Sequence, residues 1–269
     1  MAKYKKKRAR ELKHDQFRDT TMAVLDRVGD RLAGKGQNIL YGIVAVILIA
    51  GLIGLFVWWR NRKADEARAA MGRAIAIHQT PVSSSSTPGT PDEHFSSEQE
   101  RAKKAIDEFQ KVAAKYGDPY RTEARYFIAA NLLYVDRSKG LTDLSELGKN
   151  SNKDIALLSK FALAQAKEAD GNFDEAAALY KELAAANSEV VTPDSGNLRL
   201  ALVYSKQGKK KEAADLLFSM IDASRKAKDS SGEPAPVSQA VRSAEEELKK
   251  IDPARYDQLP PPPPPKLPF

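Results

Sequence analysis

The chain has 269 residues, with 43 Lys and Arg against 36 Asp and Glu, a net charge of +7, and no cysteine. The missing cysteine excludes disulfides, thiolate nucleophiles and every zinc site that needs sulfur. The three histidines lie far apart in the sequence. No Ser, His and Asp in the chain order of a catalytic triad, no HExxH motif and no phosphate-binding glycine loop occurs. The sequence therefore predicts no enzyme, and no catalytic, cofactor or metal site.

The first segment, residues 1–37, is basic and contains eleven Lys and Arg residues, clustered from Lys3 to Arg10. We interpret the cluster as a topology signal that also attracts anionic lipid; an RNA- or ribosome-binding arm is the alternative. From Asp15 to Leu32, apolar residues recur at helical spacing between charges, which predicts an amphipathic helix on the inner membrane face.

A membrane-spanning helix is predicted over residues 38–60. The 21 residues from Ile39 to Trp59 carry no charge, and at about 1.5 Å per residue they cover roughly 30 Å, the thickness of the hydrocarbon core. The run is longer than the apolar part of a signal peptide, and it ends in Trp58, Trp59 and Arg60. We therefore expect an uncleaved anchor.

The distribution of positive charge predicts the orientation of this anchor. Eleven Lys and Arg residues precede it, and five lie between Arg60 and Arg73. Because the side richer in Lys and Arg stays in the cytoplasm, the C-terminal part is expected in the periplasm of a bacterium, anchored in the inner membrane. Residues 64–269 hold 29 Lys and Arg against 31 Asp and Glu. A net charge of −2 gives no support for a nucleic-acid partner.

Residues 61–250 are predicted to form a helical repeat domain, because one pattern recurs in three helices. A small residue is followed by a large residue four positions on and an apolar residue three further, which places all three on one helical stripe. We call these sets the packing triads: Ala105, Phe109, Val112; Ala176, Tyr180, Leu183; and Ala213, Leu217, Met220. Their first members are 71 and then 37 residues apart.

Four helix pairs follow from this periodicity, with an inserted polar loop at residues 79–97 and a last helix at 237–250 that serves as a polar cap. The predicted pairs are 61–78 with 98–116, 120–135 with 141–149, 153–170 with 173–186, and 194–207 with 210–228.

Residues 251–269 are predicted to be a disordered proline-rich tail. It contains six consecutive prolines, Pro260 to Pro265, followed by Lys266 and ending at Phe269. Such a run favours a stiff polyproline II conformation of about 3.1 Å per residue. The alternative to a disordered end is a ligand for an aromatic groove.

The repeats resemble tetratricopeptide (TPR) repeats in three features that occur at that family's offsets. The features are Leu163-Ala164 and Leu200-Ala201, the turn glycines Gly171 and Gly208, and the packing triads. The sequence departs from the family in lacking the consensus tryptophan. The resemblance implies an all-α fold in which the transmembrane helix is followed by a TPR-like α-solenoid.

In the TPR family, the first helix of each pair lines a concave groove that binds peptides or helices. When the family's groove positions are transferred to this chain by the offsets above, they fall on Tyr126, Leu133, Leu158, Phe161, Gln165, Leu198 and Leu202. The alternative is that these residues are packed between helices. An apolar stripe open to water would favour the groove.

The whole layout resembles the bacterial inner-membrane TPR proteins described as ancillary subunits of the SecYEG translocon. The resemblance implies a membrane-anchored scaffold or chaperone-like protein whose partners are translocon components or exported chains, with no catalytic residue and no small-molecule substrate. A structural TPR adaptor of a cell-envelope or division complex is the alternative. A cytoplasmic assembly adaptor would follow if the orientation were reversed.

Overall fold

The computed structural model describes residues 36–82 and 94–262. Within these ranges the secondary structure is helical, with two isolated bridges, Val82–Phe95 and Lys228–Pro234, and no strand. The prediction of an all-α fold is confirmed. The predicted amphipathic helix, most of the inserted loop and the last seven residues lie outside the described ranges.

The first helix, α1, runs without interruption from Gly36 to Gln79. Every residue from Tyr41 to Trp59 is exposed, and among the described residues this one helix is long and apolar enough to cross a membrane. The sequence predicted two helices here, 38–60 and 61–78. They are one helix because residues 60–66 contain neither glycine nor proline to end it.

The chain divides into two compact units at Glu66 and Ala67. The second unit begins with the last turns of α1, where Ala67, Met71 and Ala74 are buried. The remaining helices are α2 Glu98–Lys115, α3 Tyr120–Val135, α4 Arg137–Leu147, α5 Lys153–Ala169, α6 Phe173–Ala185, α7 Pro193–Lys206, α8 Lys210–Lys226, α9 Gln239–Ile251 and α10 Pro253–Tyr256.

Several of these helices begin where short polar side chains satisfy free backbone N–H groups. Ser97 caps α2, Asn152 caps α5, Thr192 caps α7 and Ser238 caps α9. Helix α4 begins four residues earlier than predicted because the side chain of Asp136 accepts a hydrogen bond from the Lys139 N–H.

Helices of the second unit form an odd-numbered and an even-numbered layer. From α2 to α10, each helix packs against the next one in the chain, so the two layers alternate. Within the odd layer, α3 packs against α5 and α7 against α9. The Nδ1 of His78, near the end of α1, lies 3.0 Å from the Oδ1 of Asn131 on α3. Helix contacts are therefore mainly between near neighbours in sequence.

The packing triads supply the core between the layers. All nine residues are buried, as their spacing predicted: Ala105, Phe109, Val112, Ala176, Tyr180, Leu183, Ala213, Leu217 and Met220. The alanines bring the helix backbones close together, and the larger residues fill the space beside them.

Two turns of the second unit have the same structure although they lie 37 residues apart. Gly171 after α5 and Gly208 after α7 have φ values of 76° and 78°, which only glycine adopts without cost. The next N–H group in each turn, from Asn172 and from Lys209, donates 2.9 Å to the carbonyl five residues back. The α3–α4 connection differs, since Asp136 has a φ of −142°.

Helix α9 covers the last core cluster with Val241, Ala244 and Leu248, while Arg242 and Glu246 face outward. Its amphipathic character agrees with the predicted polar cap. The first part of the predicted tail is also ordered by packing. Residues 253–256 form α10, and both Tyr256 and Leu259 pack against the same cluster.

Candidate protein-binding surface

The seven residues predicted to line a groove all lie on odd-numbered helices. Tyr126 and Leu133 belong to α3; Leu158, Phe161 and Gln165 to α5; and Leu198 and Leu202 to α7. Gln165 is exposed, and the other six are half-buried.

Four of the seven contribute to the core. Tyr126 and Leu133 pack on a cluster formed by α3, α4 and α5, and burial raises the pKa of the Tyr126 phenol. Phe161 meets the ring of Tyr180 edge-on, with centroids 5.9 Å apart. Leu198 packs against the last cluster, which includes α8 and α9. These four residues hold helices together, so a binding role for them has no support from their surroundings.

Leu158 and Leu202 have different surroundings, because both are half-buried but neither belongs to a core cluster formed by the described residues. Lys160, two positions from Leu158, pairs with Glu182 of α6. Leu200, two positions from Leu202, packs with the residues of α6. Two positions correspond to 200° around a helix. Leu158 and Leu202 therefore face away from the even layer.

Tyr134 of α3 satisfies the same geometric criterion, and sequence reasoning missed it. Leu132, two positions before it, is buried where Gly140 of α4 approaches α3. Tyr134 itself is 50% exposed, an unusual value for a large apolar side chain in the second unit. The family offsets selected Leu133, one position away. The four-residue spacing of Tyr126, Ala130 and Tyr134 was the sequence signal that could have identified this stripe.

A buried carboxylate joins α5 to α6 and α7. Glu168 of α5 is 6% exposed. Its Oε2 accepts hydrogen bonds from the hydroxyl of Tyr180 at 2.9 Å and from Nη2 of Arg199 at 2.7 Å, and its Oε1 accepts one from Nζ of Lys206 at 2.7 Å. Each oxygen thus has a charged partner, as a buried carboxylate requires.

This network contains two positive charges and one negative charge. The Arg199 guanidinium also lies over the Tyr180 ring, 5.7 Å from its centroid. Burial, together with the hydrogen bond to Glu168, raises the pKa of Tyr180 to about 12. The phenol is therefore a neutral donor at physiological pH. Because the side chain of Lys206 remains 52% exposed, its positive charge is also accessible to solvent.

We call the outward stripe of the odd layer the odd-helix surface. It comprises Tyr134, Leu158, Gln165, Leu202 and Lys206. These residues place three apolar side chains, an amide and a cation on the same side of α3, α5 and α7, a composition suited to a polypeptide with mixed apolar and polar groups.

A separate cleft of about 490 Å³ lies between α7, α8 and the loop before α9. Its lining includes Asp194, Asn197, Ser219 and Ser224. The Asp194 carboxylate accepts a hydrogen bond of 2.7 Å from the hydroxyl of Ser238. This contact attaches the loop to α7, which accounts for the carboxylate in structural terms.

Comparison with protein-family models, with curated proteins and with solved structures finds no match for this chain.

Proposed function

We propose that the chain is a single-pass inner-membrane scaffold or chaperone-like protein that binds apolar polypeptide segments beside the Sec translocon. The observation that carries the proposal is that Tyr134, Leu158 and Leu202 all face away from the even layer, in a chain with a helix long and apolar enough to cross a membrane. Apolar side chains on the outward face of a helix layer are favourable binding positions for a partner.

The second unit is proposed to be a TPR-like α-solenoid. Two features support this assignment: the packing triads are buried in α2, α6 and α8, and the turns at Gly171 and Gly208 have the same hydrogen bonds. In such repeats each helix pair contacts its neighbours, and the first helices of successive pairs form one binding face. The odd-helix surface occupies the corresponding face here.

The proposed location follows from the charge distribution. Eleven Lys and Arg residues before the span favour a cytoplasmic N-terminus, and the second unit is then periplasmic. Anchoring raises the concentration of the odd-helix surface beside other membrane proteins, so a weak affinity is sufficient for function. The translocon is proposed as the neighbour because the layout resembles ancillary translocon subunits.

The proposal is tested by photo-crosslinking in intact cells from a reactive residue placed at Leu202. We expect adducts with translocon components or exported chains. The matched control is the same residue at Ala178, which is exposed on even-layer helix α6. Adducts from Ala178 alone would contradict the assignment of the odd-helix surface.

A second test uses the double substitution Leu158→Asp and Leu202→Asp with the crosslinker placed at Tyr134. Both leucines lie outside the core clusters of the described residues, so the variant is expected to stay folded, which its thermal unfolding checks. Adducts should fall by about tenfold, the effect of losing about 1.4 kcal/mol of binding. Unchanged adducts would refute the proposed surface. Adducts with envelope or division proteins, and none with the translocon, would favour the structural adaptor.

A further inference from the structure

The uncharged run of α1 ends in a short segment of aromatic and basic residues. Trp58 and Trp59 are the last two residues of the run, and they are the two tryptophans of the chain. Three cations follow within four positions, namely Arg60, Arg62 and Lys63. All five residues are exposed. We call these five residues the aromatic–basic segment.

Two of the cations lie against the two rings. The Lys63 ammonium group is 3.9 Å from the ring centroid of Trp59, and the Arg62 guanidinium is 5.6 Å from that of Trp58. The members of each pair are four positions apart, and the side chains of a helix lean toward its N-terminus. Both charged groups are therefore drawn back along α1, to the level of the last uncharged residues.

The carboxylates of this region belong to residues farther from the uncharged run. Asp65 and Glu66 follow Lys63 in the sequence. Arg62 pairs with Glu66 across 3.8 Å, and the two side chains remain 66% and 49% exposed. Because an exposed pair of this kind is weak, the guanidinium can bind another anion. Charge is thus ordered along the helix, with cations next to the uncharged run and carboxylates beyond them.

We propose that the aromatic–basic segment binds the phosphate groups of anionic phospholipids, in the leaflet at the C-terminal end of the span. The inference rests on the membrane position of α1 in the proposed function, but it does not involve the odd-helix surface. Tryptophan rings at the end of a membrane span lie at the level of the lipid headgroups. Cations held on those rings meet the lipid phosphates there, and they bind them by charge-assisted hydrogen bonds.

A lipid with a net negative charge fits this segment better than a zwitterionic lipid. The phosphodiester of a phospholipid carries one negative charge, which the quaternary ammonium group cancels in a choline lipid. Each cation near the membrane surface favours an anionic lipid, and the choline group would be repelled by all three. The expected ligand is therefore a lipid such as phosphatidylglycerol, whose headgroup carries no positive charge.

The test uses the two tryptophans as reporters in the full chain, reconstituted into phospholipid vesicles. Phosphatidylglycerol brominated on its acyl chains quenches the fluorescence of a tryptophan that it contacts, and brominated phosphatidylcholine measures the competing lipid in the same way. We expect phosphatidylglycerol to be preferred about fivefold or more at Trp58 and Trp59, the effect of one basic residue at the membrane surface. The combined substitution Arg60→Gln, Arg62→Gln and Lys63→Gln should abolish this preference.

The matched control is the combined substitution Lys209→Gln, Lys210→Gln and Lys211→Gln. It also removes three exposed cations, around the start of α8, and it should leave the lipid preference unchanged. Because the replaced side chains are exposed in both variants, circular dichroism should show the helix content of the wild type in each.

The possible failures of this proposal can be told apart. Equal quenching by the two lipids in the wild-type chain, or equal loss of preference in both variants, would overturn the lipid site and leave the span intact. Quenching by neither lipid would refute the span and the site together. A preference that disappears when chloride is replaced by inorganic phosphate at constant ionic strength would assign the cations to a soluble anion and also overturn the proposal. Crosslinking from Leu202 tests the odd-helix surface separately.

Discussion

At the level of single residues, the arrangement around Glu168 is notable because it places an ionised group where solvent cannot stabilise it. The desolvation cost is offset by three donors, two of them charged. Such a cluster contributes little net stability when it is complete, but removing one member leaves its partners unsatisfied. The network therefore favours one arrangement of α5, α6 and α7 over looser alternatives.

We predict that Glu168→Gln lowers the free energy of unfolding by about 2 kcal/mol, since the charged hydrogen bonds to Arg199 and Lys206 are lost in a buried site. The measurement is chemical denaturation of the full chain in detergent, followed by circular dichroism. The matched control is Glu182→Gln, which removes the more exposed ion pair with Lys160 and should change stability by less than about 1 kcal/mol. Equal losses of stability in the two variants would show that the burial of Glu168 does not determine the size of the effect.

Tyr180 predicts a dependence of stability on alkaline pH. Its pKa rises from the ordinary value of 10 to about 12, mainly because burial disfavours the charged phenolate. The folded state thus retains a proton that the unfolded state loses. The stabilisation is fully present below pH 10 and is lost as the pH rises from 10 to 12. The variant Tyr180→Phe should show a smaller loss of stability across this window in denaturation curves; an identical loss would assign it to other groups.

At the level of helices, close backbone contact decides which glycines can be replaced. A Cβ atom at Gly196 of α7 would lie 2.8 Å from the backbone nitrogen of Ala184 in α6. Gly196 therefore permits the approach of the odd and even layers. Gly72 of α1 has no such neighbour within 4 Å among the residues that the structure describes.

Opposite effects are expected from the same substitution at these two glycines. Gly196→Ala should destabilise the chain by about 1–3 kcal/mol through overpacking. Gly72→Ala should stabilise it by about 0.5–1 kcal/mol, because alanine is the better helix former. Thermal unfolding of both variants in detergent checks the pair. A Gly196→Ala variant as stable as the wild type would contradict this close approach of α6 and α7.

The helices themselves could be predicted from sequence because their signals are local. Polar caps, turn glycines and the spacing of Ala176, Tyr180 and Leu183 are all read within one or two turns. The candidate surface was predicted less well, since whether Leu133 or Tyr134 is exposed depends on the rotation of α3 against α4. The packing of α10 also depends on contacts with residues distant in sequence, such as Asp215, and no local pattern indicates it.

At the level of the whole molecule, the proposed orientation is tested by a reporter enzyme that is active only outside the cytoplasm, fused after Phe269. We expect it to be active, because eleven positive residues precede the span and five follow it closely. A cytoplasmic reporter at the same position should be inactive and serves as the control. The reverse result would place the second unit in the cytoplasm and remove the translocon from the proposed function.

The matching turns at Gly171 and Gly208 have a consequence for how such a chain can change length in evolution. Deleting residues 172–208 would join Gly171 to Lys209 and regenerate the same turn, with Ala213 in the place of Ala176. Leu217 would then replace Tyr180, and Arg199 and Lys206 would be absent, leaving Glu168 buried without its donors. Recombination between the two turns is therefore geometrically simple but electrostatically unfavourable, so Glu168 disfavours the loss of residues 172–208.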